Sequence, residues 1–374
     1  MEKRKIAIIV LVVVFFLFST TANGLTAFQV GGKAAILIDA ETGQVLYQKN
    51  IHQRRPPAST TKIMTGILAI EEGDLASEVT VSQRAAAEGG SSIYLTSEES
   101  LPLKEMIYGL LVKSGNDAAV AIAEHIGGSV NNFAQLMNQK AREVGARHTT
   151  FQNPNGLPEN GHLTTAYDLA QITRYALQND FFSQVVGTPK KRISWPQHKW
   201  DRILENTNRL LTRFEIVDGV KTGYTDAAGK CLVASATKQG QQLISVVLNS
   251  SSIWQDSINL LNYGFDNYRR STIINKGKTV KQVEIAGEQV NLQAAKDFSL
   301  VLPKQESTDI KKVIETRAKI DLPVEKGEKV GTIAICDSKN QLLGRVELLA
   351  DRRVAAPPLK SFFKQLTSRI QTCF

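Results

Sequence analysis

Pro57-Ala58-Ser59-Thr60-Thr61-Lys62-Ile63-Met64-Thr65 is the stretch on which the reading of this chain turns. Pro56 and Pro57 break the chain just before Ser59. Ile63, Met64, Ile67, Leu68 and Ile70 then recur at helical spacing as far as Gly73, which predicts a helix from Ser59 to about Glu72. On such a helix the Ser59 hydroxyl and the Lys62 amine share a face, one turn apart. Burial or a nearby cation lowers the pKa of an amine, and a neutral amine can take the serine proton and make the hydroxyl a nucleophile.

The pair alone says little. Ser-x-x-Lys occurs at Ser59/Lys62, Ser235/Lys238 and Ser361/Lys364, and Ser-x-Asn at several places that include Ser114/Asn116, Ser257/Asn259 and Ser338/Asn340. Lys-Thr-Gly occurs once, at Lys221-Thr222-Gly223. Order discriminates among the copies, because acyl-transfer sites built on these motifs carry Ser-x-x-Lys first, Ser-x-Asn second and Lys-Thr-Gly last. Ser59, Ser114 and Lys221 satisfy that order, at separations of 55 (59 to 114) and 107 (114 to 221) residues. The other Ser-x-x-Lys pairs and the Ser257 and Ser338 copies lie downstream of Lys221.

On these residues the chain resembles the D-alanyl-D-alanine carboxypeptidases, the low-molecular-mass penicillin-binding proteins of the S11 serine peptidase family. The matching stretches are Pro57 to Thr65, Ser114-Gly115-Asn116-Asp117-Ala118 and Lys221-Thr222-Gly223-Tyr224-Thr225. Asn155-Gly156-Leu157 and Thr164-Thr165-Ala166-Tyr167-Asp168-Leu169 are also similar to the family. The resemblance implies an α+β, β-lactamase/transpeptidase-like catalytic domain, an antiparallel sheet packed by helices plus a helical lobe. It also implies removal of the terminal D-alanine from peptidoglycan pentapeptide, covalent capture by β-lactams, and no cofactor. Carried over by motif, Ser59 is the acyl-ester nucleophile, Lys62 its proton acceptor and Ser114 a proton relay. Asn116 would hold the substrate amide, and Lys221 and Thr222 the terminal carboxylate. The N–H groups of Ser59 and Tyr224 would form an oxyanion hole, and Gly223 would admit an extended substrate against the strand. One departure stands out: the family often places an arginine after the strand Leu243 to Leu248, where this chain reads Asn249-Ser250-Ser251-Ser252.

The same motifs fit a serine β-lactamase, for which Glu159 would be the candidate deacylating base, and a slow penicillin-binding sensor or scaffold. Pro158-Glu159-Asn160-Gly161 reads as an exposed turn instead. His125, His148 and His162 lack ligand spacing, so no metal is expected. Trp195 and Trp200 flank a basic stretch that suits a hairpin over the cleft.

The ends of the chain speak to location. Lys3, Arg4 and Lys5 precede the apolar run Ile6 to Phe18, too short for a membrane span and suited to a cleaved signal peptide, residues 1–24. Its removal takes the formal charge from +9 to about +7, which suits an anionic membrane or wall polymer. There is no nucleic-acid motif and no basic stripe interleaved with aromatics. The three cysteines, Cys231, Cys336 and Cys373, are far apart and read as free thiols.

Between the ends, the catalytic domain is expected over residues 25–270, with a hairpin at Ala34 to Gln48. Helices are expected from Pro102 to Lys113, after an Asn116 or Asp117 cap to Gly127, from Val130 to Val144, after Thr165, and from Trp254 to Tyr268. Strands are expected near Asp218 to Lys221, Cys231 to Ala236 and Leu243 to Leu248. From Ser271 the segments Val280 to Ile285, Phe298 to Leu302, Val330 to Cys336 and Leu342 to Leu349 alternate between turns, as in a small all-β domain, residues 271–356. Residues 357–374 put Leu359, Phe362, Phe363, Leu366, Ile370 and Phe374 on one helical face, with lysines and an arginine elsewhere. Such a C-terminal amphipathic helix suits a membrane surface, placing the enzyme at the outer face of the bacterial cytoplasmic membrane.

Overall fold

The computed structural model describes residues 29–305, 309–317 and 320–356. The expected signal peptide, the expected tail helix and Cys373 lie outside the described residues.

Alternation of side chains along five strands builds the central sheet. Its order is Val45–Lys49, Ala34–Asp39, Gln241–Leu248, Gly229–Lys238, Val217–Thr225, with every neighbour antiparallel. Ile36, Ile38, Val233 and Val246 face one core, while Leu37, Leu232, Ala234 and Val247 face the other. A sheet covered on both faces needs apolar residues at both parities, which is why these strands read as nearly continuous apolar runs. The helix Ile253–Asn267 covers one face through Leu260, Leu261 and Phe265. The helix Ala166–Ala176 lies on the other, and beyond it the helix Lys62–Glu72. Leu103–Tyr108, Asn116–Gly127 and Val130–Glu143 surround the Lys62 helix and complete a helical lobe. Val217–Thr225 is the outer strand of the sheet, so among the described residues it has a backbone edge without a strand partner, and it lies against Ala58–Thr61.

Two local expectations are corrected. The chain turns first through a 3₁₀ helix, Ala58–Thr61, and the α-helix starts at Lys62 rather than Ser59. Ala58 has a φ of 48°, so the turn after the proline pair is tighter than a regular helix start. Neither Asn116 nor Asp117 is the cap of the next helix, because Gly115 occupies that position. The Asp117 carboxylate instead accepts the N–H groups of Ile93, Leu95 and Ala118 and the Ser92 hydroxyl. The two side chains are needed elsewhere.

Beyond the closing helix, Tyr268–Ile274 pairs with Phe298–Pro303, and residue 270 falls inside the first of these strands. A second antiparallel sheet follows in the order Thr279–Ile285, Glu288–Ala294, Leu342–Ala350, Lys329–Cys336, Lys311–Thr316. Val290, Leu292, Ile333, Ile335, Val346 and Leu348 form its core. The strands Tyr268–Ile274, Glu288–Ala294 and Lys311–Thr316 are not evident from the sequence. In Lys311–Thr316, for example, five of six residues are exposed, so no alternation marks it. Cys231 and Cys336 are free thiols.

One buried carboxylate clamps the start of the sheet to its covering helix. Asp256 accepts the N–H groups of Gly31 and Gly32, each at 3.1 Å, and the Ser250 hydroxyl at 2.6 Å. Hydrogen bonds to a charged group contribute more than neutral ones, and an N–H left buried without a partner costs further. Asp256→Ala should therefore destabilise the protein by about 2–4 kcal/mol in chemical denaturation. A loss below 0.5 kcal/mol, roughly what a surface change gives, would contradict the role.

Candidate active site

The turn before the Lys62 helix is fixed by its own side chains. The Thr60 hydroxyl donates to Pro57 O at 2.6 Å, and the Thr65 hydroxyl to Pro154 O at 2.6 Å. His162 accepts from Gln152 N–H at Nδ1, so its hydrogen is on Nε2, from which it donates to Thr61 Oγ1 at 2.9 Å. Burial lowers the His162 pKa to about 4 and keeps the ring neutral. Gly156 comes so close that an added Cβ would lie 1.9 Å from Ala58 O, at a φ of 87° that also favours glycine. The segment Asn155-Gly156-Leu157 is thus docked on the back of the Ser59 turn.

This docking places a carbonyl on the lysine. Lys62 Nζ lies 3.0 Å from Ser59 Oγ, 2.6 Å from Asn116 Oδ1 and 2.8 Å from Asn155 O. Asn116 Nδ2 donates to Gly89 O at 2.6 Å, which turns its Oδ1 toward the amine. Asn116 Oδ1 and Asn155 O can only accept. A neutral amine has two hydrogens and one lone pair, so with the hydrogens on these two oxygens the lone pair faces Ser59 Oγ. In that neutral state the Ser59 hydroxyl donates to it, whereas a protonated amine donates to Ser59 Oγ.

Electrostatics favour that neutral form. Lys62 has no exposed surface, and burial first, then the positive charge of Lys221, lowers its pKa well below the ordinary lysine value. Asp117 and Glu88 oppose the shift. Lys221 is also fully buried, which alone lowers its pKa to about 7, and its amine donates to Thr222 O at 3.3 Å. Both amines are thus easier to deprotonate than an ordinary lysine.

A cavity of about 430 Å³ opens above these groups. Ser59, Ser114, Thr222, Gly223 and Tyr224, five residues expected at the site, line it. Ser114 is held at a φ of 69°, directly after a wide helical turn, Gly109–Lys113. Gly223 lets the edge strand press on the turn: a Cβ there would lie 3.1 Å from Ser59 N and Pro57 O. Of the expected residues, Lys62, Asn116 and Lys221 lie beneath the cavity instead of on its wall.

Sequence reasoning did not find Thr207, Arg209 and Lys230, which also line the cavity. The Thr222 hydroxyl donates to Thr207 Oγ1 at 2.7 Å, and Asn208 Nδ2 donates to Gly219 O at 2.8 Å. These contacts lay the short turn Arg209–Thr212 against the edge strand. Lys230 is the cross-strand partner of Tyr224, so the two side chains share a face. No spacing signal marks any of them, because tertiary folding alone brings them to the cavity. In the stretch without the expected arginine, Ser250 is used to bind Asp256.

The hairpin of Lys190–Ile193 and Arg202–Glu205 carries Trp195 and Trp200. Arg202 lies over the Trp195 ring and is paired with buried Glu99 at 2.9 Å. Glu159 is an exposed loop residue that accepts from Asn153 Nδ2.

Comparison with known proteins agrees with this geometry. Residues 20–252 match the family model of the D-alanyl-D-alanine carboxypeptidases, and residues 268–356 match that of the penicillin-binding protein 5 C-terminal domain. The chain is 38% identical to D-alanyl-D-alanine carboxypeptidase DacF of Bacillus subtilis, over 87% of this chain and 84% of that one. It is 35% identical to DacC of Escherichia coli, over 85% and 84% of the two chains. Penicillin-binding protein 5 of Haemophilus influenzae has a similar solved structure, with a TM-score of 0.75 and 28% identity over 88% of this chain and 98% of that one.

The lone-pair geometry yields a test. Arginine keeps its proton at every accessible pH. Lys62→Arg should slow acylation by a β-lactam about 10²–10⁴-fold, the usual value of a general base, and raising the pH should not restore it. Wild-type acylation in that variant would remove Lys62 from the proton-accepting role.

Proposed function

The chain belongs to the D-alanyl-D-alanine carboxypeptidase family of serine peptidases, and from that premise we propose how its cleft carries out the reaction. The enzyme is a serine-type D-Ala-D-Ala carboxypeptidase that binds penicillin covalently. The single observation that carries our reading is the buried Lys62 amine, with two oxygens to hold its hydrogens and Ser59 Oγ 3.0 Å away. Ser59 Oγ attacks the carbonyl of the penultimate D-alanine while its proton passes to Lys62. The oxyanion is met by the N–H groups of Ser59 and Tyr224, a type of contact worth about 2.7–4 kcal/mol per donor. The C–N bond breaks, and the leaving amine takes a proton relayed by Ser114. Water then attacks the acyl ester, frees Ser59 and releases the shortened stem peptide. Asn116 holds the substrate amide as well as the lysine. Gly223 and the free edge of its strand support binding of an extended peptide as an added strand.

For the terminal carboxylate, Thr222 and Lys221 are joined in our reading by Arg209 and Lys230, two cations on the cavity wall. They stand in for the arginine absent from Asn249 to Ser252. The exposed position of Glu159, its carboxylate bonded to Asn153, favours a carboxypeptidase over a β-lactamase with a deacylating glutamate.

We place the enzyme on the outer face of the bacterial cytoplasmic membrane. The basic-then-apolar residues 1–24 support export as a signal peptide, and the amphipathic pattern of residues 357–374 supports attachment to the membrane surface. Residues 25–270 would form the catalytic domain and 271–356 a β domain between it and the membrane. Peptidoglycan stem peptides and β-lactams are the partners, with no nucleic acid, metal or cofactor.

Labelled penicillin should form an adduct at Ser59 that Ser59→Ala abolishes, and the protein should release D-alanine from a pentapeptide faster than it hydrolyses penicillin. The reverse ratio would favour the β-lactamase. Labelled protein should partition with membranes and lose that property when residues 357–374 are removed. Replacing Arg209 and Lys230 together by glutamine should raise KM for the pentapeptide about tenfold or more, as expected for lost charge-assisted hydrogen bonds. A substrate with an amidated C-terminus should lose far less. Equal losses on both substrates would contradict carboxylate recognition by this pair.

A further inference from the structure

The loop Glu88-Gly89-Gly90 belongs to none of the motifs, yet it holds the side-chain amides of both asparagines whose oxygens meet the Lys62 amine. Gly89 O accepts from Asn116 Nδ2 at 2.6 Å. One residue earlier, Glu88 Oε1 accepts from Asn155 Nδ2 at 2.9 Å. Asn155 Oδ1 in turn accepts from Leu157 N–H at 2.9 Å, so both ends of its side-chain amide are tied. Its carbonyl meets Lys62 Nζ at 2.8 Å, and the residue is only 3% exposed. The approach is close: a Cβ on Gly90, at a φ of 84°, would lie 2.8 Å from Asn116 Nδ2.

We infer that Glu88 is a positioning residue for the acylation step, anchoring Asn155 so that its carbonyl meets the Lys62 amine and placing a negative charge where that amine feels it. The inference rests on the reading of Lys62 as proton acceptor. An amide at position 88 could supply the anchor, so the charge needs its own reason. Three charged groups act on Lys62: Lys221 from the edge strand, Asp117 from the Asn116–Gly127 helix and Glu88 from this loop. His162 is one step removed, on the Thr61 hydroxyl. Asp117 is the stronger of the two opposing charges and is itself tied by three N–H groups and a hydroxyl, and Glu88 acts beside it. Burial and Lys221 both push the amine toward neutrality. A base weakened too far accepts a proton poorly, and the most effective base has a pKa near the working pH. The Glu88 charge opposes that weakening.

The sign of the pH effect follows. The reactive amine is neutral, so acylation rises with pH through the Lys62 titration. Removing a negative charge lowers the pKa of a lysine and extends the neutral form to more acidic solution. The experiment measures acylation rate by labelled penicillin against pH, with melting temperature as a check on folding, for wild type, Glu88→Gln and Glu88→Ala. Glu88→Gln keeps an acceptor for Asn155 and loses the charge, so its acid limb should move to lower pH. Glu88→Ala should show the same movement together with a plateau about tenfold or more below wild type, because the carbonyl is no longer aimed. The glutamine plateau should fall between the two. An acid limb in Glu88→Gln that coincides with wild type would overturn the electrostatic role, and a wild-type plateau in Glu88→Ala the positioning role. Wild-type acylation in Lys62→Arg would show instead that the underlying assignment of the base is wrong, whatever the Glu88 variants do.

Discussion

Removing the Lys62 amine from water is the constraint around which the catalytic unit is arranged. A buried ammonium without partners would cost far more than a domain's net stability, so the chain must satisfy it or let it lose its proton. It does both. Oxygens from two distant segments take the amine's hydrogens, and a second buried lysine makes a charge at this position still less favourable. Solving a folding problem in this way leaves the amine 3.0 Å from the Ser59 hydroxyl.

The cost of that arrangement is spread over the surrounding structure. The threonines of the turn each bind a neighbouring group, Gly156 and Gly223 are small enough to admit close backbone approach, and Asn116 is turned by a main-chain oxygen. In the proposed reaction only Asn116 and Gly223 among these also meet the substrate. Together these contacts hold a hydroxyl, an amine and a strand edge in a geometry that a displacement of about 1 Å would impair. The sheet supplies rigidity from behind. Its outermost strand is left without a strand partner on one side, which is a liability in most proteins and here the surface that can receive an extended peptide.

The β sheet beyond residue 274 stands on different physics. It has its own small apolar core, while the ribbon of Tyr268–Ile274 and Phe298–Pro303 meets the first unit, where Gln44 donates to Val301 O and accepts from Val301 N–H. This division suits a spacer, since the chemistry needs nothing from it. Lys62 and Lys221 of the first unit are fully buried.

Motif order by itself determined which serine, which lysine and which Lys-Thr-Gly belong together, and apolar periodicity located most helices and the longer strands. These signals are local, because a helix or a covered strand shows its buried face in its spacing. Ser59, Lys62, Ser114, Asn116 and Lys221 to Tyr224 could be named before any fold was known. Tertiary structure alone decided that Asn155 contributes a carbonyl rather than a side chain, that Glu88 stands behind it, and that Arg209 and Lys230 reach the cavity. It also moved the helix start from Ser59 to Lys62 and gave Asp117 to a neighbouring loop. The physical reason is common to all of these. A main-chain oxygen has no residue-type signature, and an exposed cation or half-buried carboxylate looks like any surface charge until folding places it beside a desolvated amine.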